Sequence, residues 1–292
     1  MRRLIVNADD FGLTAGVNRA VAELHQAGVL ASATLMARTP ATEEAIQIAL
    51  ATPSLGVGCH VVLVDGEPVL SPTRDIPHLA DPIGGRFHRS LFGFLDDLYR
   101  HWPAMALSPI LPEIEAETSA QIALLQNGGL HLTHIDTHKH VHMFPAVLRP
   151  VLRAARGAGI RSVRNPFEPL WSLRATSRAP WLRRAEVRLL RLLQRRFRRI
   201  VAEEGFTTTD GALGVAATGT LDASALASLL RALPAGTWEL VTHPGYNDAD
   251  LASVRTRLRV SRQTELAALQ TLPQLTDAEL ISFADLRGGK AE

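Results

Sequence analysis

The chain has one cysteine, Cys59, in 292 residues. A single thiol excludes an internal disulfide framework and a zinc knuckle built on thiolates, and it fits a reducing compartment. Long apolar runs are missing too: no stretch reaches the roughly 18 residues of a membrane span. The start, MRRLIVNADDFG, is basic and then apolar, but Asn7, Asp9 and Asp10 break the run too early for a secretory leader. A cytoplasmic location is therefore expected. Neither sign of charge dominates. The net charge is +2, so no global basic field argues for nucleic acid as a partner. No G-x-G-x-x-G follows the first strand-like segment, which removes the dinucleotide fingerprint. Internal repeats and low-complexity tracts are absent.

What remains is a chain of barrel size, 46% hydrophobic and 21% charged, able to bury a large core. Leu4 to Ala8, Leu30 to Ala37, Leu55 to Leu63, Leu130 to Asp136, Ile160 to Arg164, Thr237 to His243 and Leu280 to Phe283 read as strands. Helical patterns lie between them: after the cap residue Thr14 as far as Gly28, from Pro40 to Leu50, from Leu91 to Gln126, after Pro145, from Pro180 to Glu204, from Ala223 to Leu233 and from Ser261 to Gln270. Residues 64 to 89 form a long Pro-, Gly- and Asp-rich loop. Strands alternating with helices imply a parallel sheet. About seven such units predict a single α/β domain over 1–292, a closed or distorted (β/α) barrel, with a doubly wound open sheet as the alternative.

The stretch THIDTHKHVHMFP packs four histidines and one aspartate between His134 and His142. If the strand continues, Asp136, His138, His140 and His142 share one face and Lys139 takes the other. Asp9 and Asp10 end the first strand, His60 sits late in the third, and His243 ends TWELVTH. Parallel β/α folds open the carboxyl ends of their strands onto one face, where these residues would converge. Two imidazoles and a carboxylate can hold a catalytic divalent ion with a position left open. Another of the histidines would sit behind the ligands or touch substrate. Taken singly, each feature has a plainer reading. Paired aspartates cap helices, His25, His78, His88 and His101 read as surface residues, and Cys59 reads as a small core residue facing away from His60.

NADDFG, GCH, THIDTHKHVHMFP and THPGY together resemble the YdjC/ChbG-like carbohydrate deacetylases, over essentially the whole chain. VVLVDGEPVLSP and IPHLADPIGGRFHRS are most similar to the hopanoid biosynthesis-associated (HpnK) branch. The resemblance implies a barrel related to polysaccharide deacetylases and metal-dependent removal of N-acetyl groups from amino sugars, here on a hopanoid glycolipid. It implies Asp10, His60 and His138 as metal ligands, Asp9 as general base and His243 as general acid. Arg164 would orient or neutralise Asp9, and Asp136, His140, His142 and Tyr246 would touch substrate or stand behind the ligands. Zinc or magnesium is the expected ion, with manganese, cobalt and nickel also able to accept such ligands.

One segment has an odd composition. Arg174 to Arg199 holds ten arginines and one acidic residue, Glu186. Arg184, Arg188, Arg191, Arg195 and Arg198 fall on one helical face, and Leu182, Leu189, Leu193 and Ile200 lie near the opposite one. Such a helix either rests its leucines on the sheet or brings the protein peripherally to an anionic membrane. Three further readings stay open: deacetylation of soluble chitooligosaccharides, a non-haem iron oxygenase, which uses the same ligand types, and a non-catalytic lipid or sugar binding protein.

Overall fold

The computed structural model describes residues 1–81, 83–100, 108–176 and 179–288. His101, the part of the expected 91–126 helical pattern at 101–107, and residues 177–178 of the arginine-rich segment lie outside them. Among the described residues seven strands form one sheet: β1 (Arg2–Phe11), β2 (Ser32–Leu35), β3 (Gly56–Val61), β4 (Ile135–Thr137), β5 (Gly211–Leu213), β6 (Gly236–Thr242) and β7 (Glu279–Leu280). The order is β4-β3-β2-β1-β6-β5, every pairing is parallel, and β7 adds to β1 at Arg3 and Leu4, below the point where β2 begins.

The sheet curls into a distorted barrel. Val163 bridges to Ile135 of β4 and Ser162 bridges to Thr207, four residues before β5. The expected strand over Ile160 to Arg164 is thus reduced to isolated bridges that close the ring, and β5 is an element the sequence did not announce. Helices Ala15–Gln26, Thr42–Ala51, Ile110–Asn127, Pro145–Gly157, Ala223–Arg231 and Val260–Leu269 alternate with the strands. The first is capped as its sequence predicts, with Thr14 Oγ1 accepting from the Val17 amide.

Burial on both faces makes the strands apolar runs rather than alternating ones. On β1, Leu4, Val6 and Ala8 belong to the main apolar core. Ile5, Asn7 and Asp9 alternate with them. Ile5 packs with Ile281 and Phe283 at the foot of the barrel, and His134 stacks on Phe283 there at 3.8 Å between ring centres. That stacking needs a glycine at position 58, where a Cβ would lie 2.6 Å from the His134 ring. Above this plug the interior turns polar, through Asn7, Thr34, Asp9, Asp136, Arg164 and Glu239, all buried.

The arginine-rich segment runs as helices Trp181–Leu190 and Gln194–Glu203 joined by one 3-10 turn. Its leucines do not all rest on the sheet. Val187, Phe197 and Ile200 are buried, whereas Trp181 (74% exposed), Leu182 (59%), Leu189 (66%) and Leu192 (77%) face outward. Arg191 and Arg198 are tied to the carbonyls of Glu168 and Asp210. The assignment of Leu182 and Leu189 to a core-facing side is therefore corrected. Among the described residues, no helix is long and apolar enough to cross a membrane.

Candidate metal centre

β1, β3 and β4 end at the same mouth. β1 delivers two consecutive carboxylates, and a bulge between Ala8 and Phe11, with φ of 64° at Asp10, sends them to different partners. Aspartate is among the few non-glycine residues that take this conformation at modest cost. Oδ1 of Asp10 stands 3.5 Å from His60 Nε2 and 3.3 Å from His138 Nδ1. It is buried and, those two imidazoles aside, has no hydrogen-bond partner among the described residues. Oδ2 accepts from Arg262 Nη2 at 2.5 Å. Asp136 Oδ1 holds His60 Nδ1 at 2.8 Å, which leaves Nε2 as the ring nitrogen facing Asp10. A carboxylate behind an imidazole in this way fixes ring and tautomer, as partners of metal-binding histidines do.

Asp10, His60 and His138 each bring one ligand atom within 4.8 Å of the others. An orphaned, buried carboxylate oxygen between two imidazole nitrogens is a donor set that fits a divalent cation and leaves further positions open. Asp9, His60 and Asp136 also lie close enough together, but there a positive charge is already in place. Arg164 donates to both oxygens of Asp9, at 2.6 and 2.8 Å, pairs with Asp136, and places Nε 2.7 Å from Glu239 Oε1. Asn7 and Thr34 add hydrogen bonds to Asp9 Oδ1 at 2.9 and 3.2 Å.

The charges follow from this packing. Burial opposes ionisation of Asp9, but Arg164, His60 and His243 more than offset it and hold the carboxyl far below its ordinary value. At Asp10, too, burial is overcome, chiefly by the Arg262 charge, and the pKa falls well below normal. Burial would lower the His60 pKa, yet Asp136, Asp10 and Asp9 raise it to about 10. Glu239 goes the other way: burial pushes it up to about 7, against the pull of Arg164. His243 lies with Nε2 3.9 Å from Asp9 Oδ2 and Nδ1 3.8 Å from Glu265 Oε2, and its backbone amide donates to the same Glu265 oxygen at 2.6 Å. Burial disfavours its protonated form, but Glu265, Asp9 and Asp10 raise its pKa overall.

The histidine run departs from the strand expected for it. β4 stops at Thr137, and a 3-10 segment follows over His138–Met143, with φ of 56° at Lys139 and 55° at His140. Two successive left-handed residues break the alternation, so His138, His140 and His142 do not share a face. His142 turns inward, with Nδ1 on Thr137 Oγ1 at 2.7 Å and Nε2 on the Arg164 carbonyl at 3.2 Å. Burial brings its pKa down to about 4, and that of His140 well below normal. Lys139 is held by Asp65 at 2.8 Å. Tyr246 donates its hydroxyl to Glu23 at 2.5 Å, under the Arg19 guanidinium, and stands outside the group around Asp10.

Three residues were missed by sequence reasoning: Arg262, Glu265 and Glu239. The first two look like ordinary charges on the amphipathic helix Val260–Leu269. Glu239 carried a signal, a lone acid inside the apolar strand TWELVTH.

The chain aligns at 45% identity with a carbohydrate deacetylase of Brevibacillus brevis, over 52% of the chain and 55% of that relative. The chain thus spans about half the length of this relative. With a carbohydrate deacetylase of Thermoanaerobacter pseudethanolicus identity is 27%, over 97% and 94%. With a chitooligosaccharide deacetylase of Salmonella paratyphi B it is 37%, over 54% and 58%. The fold matches the crystal structure of a protein described as a cellobiose-phosphate cleavage protein of Enterococcus faecalis, with a TM-score of 0.72 and 24% identity over 98% of both chains. The model of the YdjC-like protein family matches residues 3–277, and the chain belongs to that family.

Proposed function

We propose that the protein is a metal-dependent carbohydrate N-deacetylase, with Asp10, His60 and His138 as the metal ligands. The observation that carries this reading is Asp10 Oδ1, which stands between two imidazoles with no other partner among the described residues, beside Asp9 facing His243. A divalent ion held there would supply Lewis acidity toward an acetamide oxygen and a lowered pKa for water. The chain's own groups do the rest. Asp9 is kept ionised by Arg164, and Oδ2, the oxygen turned toward His243, accepts the proton of the attacking water. His243, kept protonated by Glu265 and the aspartates, gives its Nε2 proton to the departing amine. Environments that drive two neighbouring pKa values apart mark a base and an acid. Asp136 acts behind His60 by fixing its tautomer. Relatives named as deacetylases favour hydrolysis over the oxygenase and binding-protein readings.

For the substrate, we favour N-acetylglucosamine carried on a lipid, with N-acetylglucosaminyl-bacteriohopanetetrol as the example drawn from the hopanoid branch. Trp181, Leu182, Leu189 and Leu192 stand exposed beside Arg188, Arg195, Arg196 and Arg199. That combination suits peripheral binding at an anionic bilayer, such as the inner face of the cell membrane. A soluble chitooligosaccharide is the second reading, favoured by the name of the Salmonella relative.

Acetate release from N-acetylglucosaminyl-bacteriohopanetetrol and from N,N′-diacetylchitobiose, with chelator and with metal restored, tests both levels. Chelator-sensitive release from the lipid alone supports the full reading. Release from chitobiose alone keeps the chemistry and replaces the substrate. No release from either, with any metal, refutes the deacetylase. Flotation with anionic liposomes that is unchanged after the four exposed apolar residues become serine removes the membrane contact.

A further inference from the structure

Arg262 is 1% exposed, although it sits on a helix in the outer layer of the fold. It reaches inward past Gly245 of the THPGY motif, where a Cβ would lie 3.2 Å from Arg262 Cδ. Its Nε is anchored on the Leu258 carbonyl at 3.1 Å and its Nη2 on Asp10 Oδ2 at 2.5 Å. Nη1 is buried without a hydrogen-bond partner among the described residues. The ordinary arrangement of arginine with a carboxylate is a two-pronged fork that takes both oxygens. Arg164 does this to Asp9. Arg262 takes one oxygen of Asp10 only, at the expense of a buried N–H left without a partner among the described residues. The oxygen it leaves alone is the one between His60 and His138.

We propose that Arg262 is a positioning residue of the metal centre: it holds Asp10 by Oδ2, so that the carboxylate meets the ion through Oδ1 alone. The inference rests on the metal-centre reading above. Arg262 touches neither substrate nor ion. It selects the ligand oxygen and the number of positions the aspartate takes, and Gly245 provides the passage for its side chain. This gives the glycine of THPGY a physical task of its own, two residues from His243.

The test is metal binding rather than turnover. Zn²⁺ and Mn²⁺ are titrated separately into wild-type, Arg262→Gln and Arg262→Lys proteins, and the visible spectrum is recorded with Co²⁺. Loss of a group that orients a ligand typically weakens binding by about 10- to 100-fold, and that loss is expected for Arg262→Gln. The Co²⁺ bands should also change as Asp10 becomes free to bind through both oxygens. Arg262→Lys keeps the charge, and with it the fold, but lacks the planar guanidinium that holds Oδ2. Reduced affinity and an altered Co²⁺ spectrum are expected there as well. Wild-type affinity and spectrum in the lysine variant would reduce Arg262 to a counter-charge and overturn the proposal. Wild-type protein that binds no divalent ion overturns both this inference and the metal centre beneath it. Metal binding with no acetate release from any amino sugar removes the deacetylase and leaves the role of Arg262 standing.

Discussion

Replacing Glu239 with glutamine should stabilise the metal-free protein at alkaline pH. Around Arg164 lie three buried carboxylates, Asp9, Asp136 and Glu239, and one further cation, His60. Burial is the main reason that Glu239, whose Oε2 has no partner among the described residues, is pushed up to about 7 from an ordinary 4.5; Asp9 and Asp136 add to the shift, and Arg164 pulls against it. Between those values the folded state holds a proton that the unfolded chain has lost, so stability falls as pH rises. At ~1.4 kcal/mol per pH unit the accumulated loss by pH 8 is about 3 kcal/mol. Glutamine cannot ionise, and its oxygen can still accept from Arg164 Nε. Urea denaturation with chelator present, at pH 5 and pH 8, should show wild type and Glu239→Gln close together at the lower pH. At the higher pH the variant should lead by about 2–3 kcal/mol. A difference that does not change with pH, or a variant that falls behind at pH 8, would refute the raised pKa of Glu239.

Three other outcomes follow from the same contacts. Arg164→Met leaves three buried acids without their arginine and should cost at least about 3–5 kcal/mol in denaturation midpoints. Asp9→Asn should lower kcat on the order of 10²–10⁴-fold while calorimetric metal affinity stays near wild type, because Asp9 is outside the proposed ligand set. Metal affinity should rise with pH. With its pKa at about 10, His60 carries a proton at neutral pH that the ion must displace, so binding tightens by at least roughly tenfold per pH unit. A titration series from pH 6 to 9 that stays flat would count against His60 as a ligand.

The barrel was legible because its signals are local. Thr14 caps a helix, Gly28 ends one, and the short β-branched runs at Leu4 and Leu55 read as buried strands by their length and their flanks. Closure of the ring was not legible, since Ser162, Val163 and Thr207 contribute single bridges with no pattern of their own. The convergence of Asp10, His60 and His138 could be read for a topological reason: parallel strands deliver their last residues to one mouth. The fate of the histidine run could not. Nothing in HKHVH announces two successive left-handed residues, because outside glycine that conformation is uncommon, and of the two only His140 belongs to the types enriched in it. Arg262 and Glu265 were hidden because a helix pattern does not say which of its charges turns inward. The arginine-rich helix misled in a related way. Its leucines satisfy the spacing of a packed face, but spacing gives no account of whether a partner surface is there.

Charge conservation ties the two halves of the site together. In the metal-free interior Asp9, Asp10 and Asp136 are matched by Arg164, Arg262 and protonated His60, with Glu239 mostly protonated below its pKa of about 7 and the facing pair His243 and Glu265 set aside. A divalent ion that displaces the His60 proton leaves one positive charge too many. Ionisation of Glu239 restores the balance, and it lies in the same network through Arg164 and Asp136. Metal binding near pH 7 should then release more than the single proton of His60, toward two. The Glu239→Gln variant should release about one, since metal uptake and ligand deprotonation are linked. Calorimetry in two buffers of different ionisation enthalpy reads the number directly. Equal proton release by the two proteins would mean that Glu239 does not sense the metal, and that the Arg164 cluster and the Asp10 centre titrate as separate sites.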